Sequence, residues 1–201
     1  NQNKHNNHNN HSKHVQLQKN KNKNKNKNKN SVPNPCTDYL SDLEYIEHMI
    51  PHHQVAVDMS VLLLEKTNDP EMMFLCRNIL KKQRYEIWEM TYMKKQLNDK
   101  VFSDDNFHTD TLYSKLDKYA PVLSRSKEGE CDPLFFKPEA HMEHMAHMEL
   151  NDTMYLEHMI PHHQVAVNMS ERLLQYTNNS YLLDFCRKLI TDQQYEIFLM
   201  N

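Results

Sequence analysis

The sequence predicts an all-α fold: a four-helix bundle built from two homologous helical hairpins, with a disordered N-terminal tail. Three observations carry this. The chain holds a single glycine, Gly129, among 201 residues, whereas strand-rich folds lean on Gly-rich turns. A block of 49 residues, 42–90, returns at 152–200 with a constant offset of 110 and no gap, and 26 of its positions are identical. Within each copy the apolar residues recur every third or fourth position, the period of a helix with one buried face.

The tail, 1–35, comes first. Residues 1–30 contain twelve Asn, eight Lys and no acid. Such a segment has almost nothing to bury and is expected to be disordered. His5, His8, His11 and His14 recur in it every third residue, as in a loose metal-collecting arm or merely a biased composition. The remaining residues carry 16 Lys and Arg against 27 Asp and Glu, a net charge of −11. A basic arm on an acidic body can touch phosphates weakly, or simply keep the protein in solution. Nothing else points to nucleic acid. No run of 18 apolar residues exists to span a membrane, and no apolar signal-peptide core is seen. The chain starts at Asn rather than Met, as a processed product or a fragment does.

The first hairpin is assigned to 36–97. Tyr45, His48, His52, Val55, Ala56, Met59 and Leu63 line one face of its first helix. Thr67-Asn68-Asp69-Pro70 breaks the chain, with Pro70 suited to the first turn of the next helix. Met72, Cys76, Ile79, Leu80, Gln83, Ile87 and Met90 form the buried face of the second. Residues 98–138 read as a crossover without obvious chemistry, with a short helix around 110–119. The segment 139–201 holds a His/Met-rich stretch and the second hairpin, broken at Thr177-Asn178-Asn179-Ser180. Two hairpins together bury what one cannot, and an up-down-up-down order sets the two His-bearing helices parallel. Pro51 and Pro161 fall inside those helices. Each removes a backbone donor and frees the carbonyl four residues back, at Glu47 and Glu157, which predicts a kink beside the histidines.

His48 and His52 are four residues apart, so they project from one face about 6 Å from each other. Met49 and His53 form a second such pair, and Met59 lies two turns beyond His52. The second copy supplies His158, Met159, His162, His163 and Met169. Imidazole suits copper, zinc, iron and nickel, whereas thioether selects Cu(I) or its soft analogue Ag(I). The mixed set therefore favours a copper ion, Cu+ or Cu2+, with Ag+ or Zn2+ as alternatives. A methionine on a helix commonly just fills the core, and Met59 and Met169 fit either role. A third cluster, His141, Met142, His144, Met145, His147 and Met148, has no counterpart before the first repeat. Three His-Met pairs at this spacing sweep around a helix, so they suit one soft ion best if the segment is mobile.

Catalytic signatures are missing. The stretch from His48 to His52 lacks the glutamate of His-Glu-x-x-His, and no Glu-x-x-His of the di-iron bundles occurs. The repeat-matched glutamates Glu47, Glu86, Glu157 and Glu196 leave a modified oxygen-activating site as one alternative. One glycine cannot build a phosphate loop or a nucleophile elbow. The four cysteines allow three pairings. Cys36 and Cys76 lie about 35 Å apart along a hairpin axis, which disfavours that pair and its equivalent, Cys131 with Cys186. Either like pairs with like, Cys36–Cys131 and Cys76–Cys186, or Cys76 and Cys186 are reduced core residues or auxiliary copper ligands.

The run His48-Met49-Ile50-Pro51-His52-His53-Gln54 with Ala56 and Met59, followed by Gln83, Glu86, Ile87 and Met90, resembles the family called domain of unknown function 305. The second copy repeats the pattern, so the resemblance covers about half the chain. It implies a ferritin-like bundle and copper binding in some bacterial members that are periplasmic or secreted. Residue by residue it points to Met49, His52, His53 and Met59, and to Met159, His162, His163 and Met169; His48 and His158 are added by spacing alone. The Asn/Lys tail, long linker and cysteines depart from the pattern, and the tail suits an AT-rich genome such as that of a large DNA virus or a protist. The expected role is metal sequestration, buffering or transfer without catalysis, in an extracytoplasmic or virion-associated setting. A structural scaffold with incidental metal and a di-metal oxidase are the alternatives.

Overall fold

The computed structural model describes residues 33–98 and 131–201. The expectations for the tail and for a helix at 110–119 lie outside the described residues. The elements are α1 (Asp42–Leu64), α2 (Pro70–Asn98), a 3₁₀ turn (Pro133–Phe136), α3 (Pro138–Ala146), α4 (Asp152–Leu174) and α5 (Ser180–Met200). All described regular structure is helical, as the composition predicts. No described helix is long and apolar enough to cross a membrane.

Local signals set the helix ends. Ser41 and Glu44 form a reciprocal capping box at the start of α1, satisfying two amides that a helix leaves without intrahelical partners. Asp69 accepts from the amides of Glu71 and Met72, just ahead of Pro70. Asn151 and Asn179 cap α4 and α5. Both turns are braced alike, with Thr67 Oγ1 accepting from the Asp69 amide and Thr177 Oγ1 from the Asn179 amide. The α-helix continues through Pro51 and through Pro161.

α1 packs on α2 and α4 on α5, while α1 also meets α4, α3 and the 3₁₀ turn. The contacts between α1 and α4 fix their sense. Tyr45 Oη is 2.7 Å from Ser170 Oγ, and Tyr155 Oη is 2.7 Å from Ser60 Oγ. Low numbers on one helix meet high numbers on the other, so the two run antiparallel. This corrects the up-down-up-down expectation. α2 and α4 consequently run in the same sense, the topology with one crossover connection. The two contacts exchange under the 110-residue offset, so an approximate two-fold axis relates the hairpins. It passes where α1 and α4 cross, at the stacked rings of His52 and His162.

That topology also decides the cysteines. Cys36 and Cys131 form a disulfide with their Cα atoms 5.9 Å apart, closing a loop of sequence separation 95. Cys76 and Cys186 are free and buried. The two-fold sends them to opposite ends of the bundle, Cys186 beside Tyr45 and Cys76 beside Tyr155. Like paired with like in one case only, because antiparallel hairpins cannot bring the other pair together.

The apolar core falls into two halves. One gathers Tyr45, Met49, Met90, Phe135, Met169, Leu182 and Cys186. The other gathers Met59, Leu63, Cys76, Ile79, Met145, Tyr155 and Met159. Met49, Met59, Met159 and Met169 are thus core side chains, each at most 1% exposed. Ile87, expected on the buried face of α2, is only half-buried, and Glu86 turns inward instead.

Tyr45 and Ser60 lie fifteen residues apart on α1, about 22 Å, so the two Tyr–Ser contacts act independently. Tyr45→Phe and Tyr155→Phe are each expected to cost about 1–2 kcal/mol. In urea unfolding the double variant should lose the sum to within about 0.5 kcal/mol. Marked non-additivity would contradict the two-ended packing.

Candidate metal centre

Between the two apolar halves lies a band of buried polar side chains: His52, His53, His162, His163, Gln83, Gln193, Glu86 and Glu196. Unpaired polar groups in such a place are costly, so their hydrogen bonds are informative. His53 Nε2 is 2.9 Å from Glu86 Oε2, and His163 Nε2 is 2.9 Å from Glu196 Oε2. His162 Nε2 donates to the His52 carbonyl at 3.1 Å. An acceptor behind Nε2 fixes the tautomer and leaves the Nδ1 lone pair forward, the arrangement that orients metal-ligating histidines. The Nδ1 atoms of His53, His162 and His163 are buried and have no hydrogen-bond partner, and neither ring nitrogen of His52 has one.

From this centre a row of imidazoles runs outward. The ring centroids of His52 and His162 are 3.7 Å apart, those of His162 and His158 6.1 Å, and those of His158 and His141 4.7 Å. His141 and His158 face each other with Nε2 atoms 3.1 Å apart, so at most one of these two nitrogens carries a proton. His48 flanks the row and donates from Nε2 to the Pro33 carbonyl at 3.2 Å. Phe135 sets its edge against His158 and His162, each with centroids 5.0 Å away. Phe136 leans on His52 at 5.3 Å and His48 at 6.0 Å.

Electrostatics keep the row neutral. Burial pushes the pKa of His52 and of His162 well below the ordinary imidazole value, and neighbouring histidines push it further. Burial, then His141, brings His158 down to about 4. His141 falls through burial and His144, and His48 through burial against the pull of Glu47 and Glu44. The unprotonated form is the one that ligates metal. On the other side, burial alone raises the Glu196 carboxyl, but His163 and Lys82 outweigh it and hold it below the usual range. Lys82 Nζ lies 3.4 Å from Glu196 and 3.3 Å from Asp192.

The structure brings together His48, His52, His53, His141, His158, His162 and His163. It sets the four repeat methionines apart in the core halves. In α3, Met145 is buried in the core and Met142 lines a groove with Asp58 and Gln54, while His144, and His147 and Met148 just past the helix end, are exposed. Of the four matched glutamates, Glu86 and Glu196 face the band, whereas Glu47 and Glu157 are exposed and Glu47 pairs with Lys94. Burial pushes the Cys186 thiol up to about 12, so it stays protonated in the core. Among the described residues no three His, Cys, Asp or Glu side chains stand close enough around one point to hold an ion together; the donors come in pairs.

Sequence reasoning missed Phe135 and Phe136, which fall in the stretch read as a crossover without chemistry. Their signal is local: two aromatics between Pro133 and Pro138, next to a cysteine. Gln83, read on the buried face of its helix, is indeed buried, as is its repeat mate Gln193.

The fold and the band together define a His-rich helical-bundle protein. Residues 42–201 match the family described as Domain of unknown function (DUF305), and the chain belongs to it. Among solved structures it is similar to CopM. The Cu(II)-bound form shares 28% identity at a TM-score of 0.56, covering 81% of this chain and 95% of that one. The Cu(I)-bound form gives 28% and 0.55 over 80% and 93%, and a silver-bound form 28% and 0.56 over 81% and 93%. The uncharacterised protein L153 of Acanthamoeba polyphaga mimivirus is 36% identical over 66 residues, 32% of this chain. The match spans 43% of that relative's length.

The depressed histidines predict a pH dependence. The unfolded chain takes up protons near pH 6.5 while the folded one does not, so stability is full above that value and falls as pH drops towards 4. His158 alone accounts for on the order of 3 kcal/mol of loss, and His48, His52, His141 and His162 act in the same direction. Urea midpoints of the metal-free protein should fall steeply between pH 7 and 4.5. A flat profile would contradict neutral burial.

Proposed function

We propose that the chain binds copper at the histidine band and serves to sequester, buffer or transfer it, without catalysis. The observation that carries this is the set of unpartnered ring nitrogens at zero exposure: both of His52, and Nδ1 of His53, His162 and His163 with acceptors behind them. A purely structural core gains nothing from orphaned imidazoles, whose desolvation is uncompensated. Donors in pairs do not form the closed tetrahedron of structural zinc; they suit Cu(I) or Ag(I), which accept few ligands. Neutral imidazoles take Cu(II) as well. The likeness to CopM, solved in Cu(I), Cu(II) and silver forms, supports the same reading. Each hairpin is then one copy of the family's His/Met unit, sharing a site at the two-fold.

Past buried His141, the exposed His144, His147 and Met148 and the half-buried Met142 reach the surface and suit loading or release, while Met145 stays in the core. The Cys36–Cys131 disulfide supports an oxidising setting: secreted, periplasmic or on a virion.

Titration of the purified chain with Cu(I), Cu(II), Zn(II) and Fe(II), repeated with His52, His158 and His162 changed to Gln, tests the proposal. Copper affinity is expected to drop at least about tenfold with helicity kept. Unchanged affinity and stoichiometry would overturn the site. Tight iron binding with oxygen consumption would favour an oxidase, and no stoichiometric metal would leave a scaffold.

A further inference from the structure

Two short segments that share no sequence neighbourhood lie against the histidines: one touches His48, the other His48, His52, His158 and His162. One is the strap Pro33–Leu40. Its Pro33 carbonyl accepts from His48 and its Pro35 carbonyl accepts from Arg172 Nη2 at 2.6 Å. Tyr39 reaches Gln175 at 3.2 Å and sets its ring edge-on to Tyr176. Leu40 is buried in the same core half as Phe135. The other segment is the 3₁₀ turn, capped by Asp132 through the Leu134 amide at 2.8 Å, which carries Phe135 onto His158 and His162 and Phe136 onto His48 and His52. The strap and the turn are covalently joined, because Cys36 lies in the first and Cys131 begins the second.

A four-residue 3₁₀ turn has little hydrogen bonding of its own. Its hold on the rings comes from Phe135 packing and from the disulfide, which ties it to a strap fastened at three points. We infer that the Cys36–Cys131 disulfide clamps a two-part aromatic cover over the histidine row, and that Phe135 and Phe136 are the residues that set how fast an ion enters and leaves. The ion-exchange half of this rests on the copper-binding proposal; the cover itself does not. Without the covalent tie, the turn opens by local unfolding at a smaller free-energy cost than the bundle around it. The rings beneath become reachable while the helices stay folded.

The experiment uses the full chain, metal-free, and diethyl pyrocarbonate as the probe, with carbethoxylated histidines located by peptide mass mapping. Cys36 and Cys131 are both changed to Ser, since a single change leaves a new thiol ligand. His52, His158 and His162 are expected to react about tenfold faster in the double variant, while exposed His147 reacts at the same rate in both. Equal rates at the three buried rings, with the helical circular dichroism unchanged, would overturn the clamp. If the double variant loses its helicity, Phe136→Ala with the disulfide intact takes its place, and an unchanged rate at His52 there would overturn the cover. In a second arm each protein is loaded with Ag(I) and transferred to a competing chelator. Release is expected to quicken with the bound stoichiometry unchanged, and equal release rates would overturn the control of exchange. A chain that takes up no Ag(I) in either form would sink the copper-binding proposal, and the carbethoxylation arm would still decide the cover.

Discussion

Where α1 and α4 cross, two imidazoles stack at 3.7 Å on the approximate two-fold axis, and everything else in the bundle is arranged around that contact. Burying histidine rings at zero exposure removes their hydration. Burial holds the pKa values of His52 and His162 well below the ordinary imidazole value, so these two rings are neutral. Glu86, Glu196 and the His52 carbonyl give His53, His163 and His162 one partner each, and the His52 ring has none. The Nδ1 atoms of His53, His162 and His163 go without, as do both ring nitrogens of His52, and the copper-binding proposal rests on them.

The apolar core obeys the same constraint from the other side. A polar band across the middle of a bundle divides its core, so each half must hold together alone. Tyr45 with Ser170 and Tyr155 with Ser60 cross-link α1 and α4 on either side of the band. The methionines fill these halves with flexible, well-packed side chains. One consequence is a division of labour between residue types that sit side by side in sequence: imidazoles meet at the axis, and thioethers line the regions that keep the axis dry. Short α3 and the 3₁₀ turn complete the enclosure, and α3 alone brings His141 to His158.

Much of this was legible in the sequence, and the limits are physical. The helices, their turns and their buried faces follow from three-and-four spacing, Thr67, Pro70 and the caps, all local signals. The seven clustered histidines were legible because the repeat displays most of them twice. The relative sense of the hairpins was not, because helix periodicity says nothing about which end of one helix meets which end of another. That single unknown left open whether Cys76 and Cys186 pair or stay reduced in the core, as they do, and the same register decides that Met59 packs in a core half. Glu86 was hidden for another reason: its inward placement depends on His53, which only the assembled bundle brings close. Phe135 was hidden by an apparently featureless crossover, although Cys131 next to Pro133 marked a tethered turn.

On the proposed function, metal is held by imidazoles at the crossing of α1 and α4 and not by the methionines of the core. Anomalous diffraction at the copper edge from crystals of the copper-loaded chain measures this directly. An anomalous peak is expected within bonding distance of ring nitrogens among His52, His158 and His162. Peaks confined to Met59, Met169 or the exposed end of α3, with the crossing empty, would contradict it.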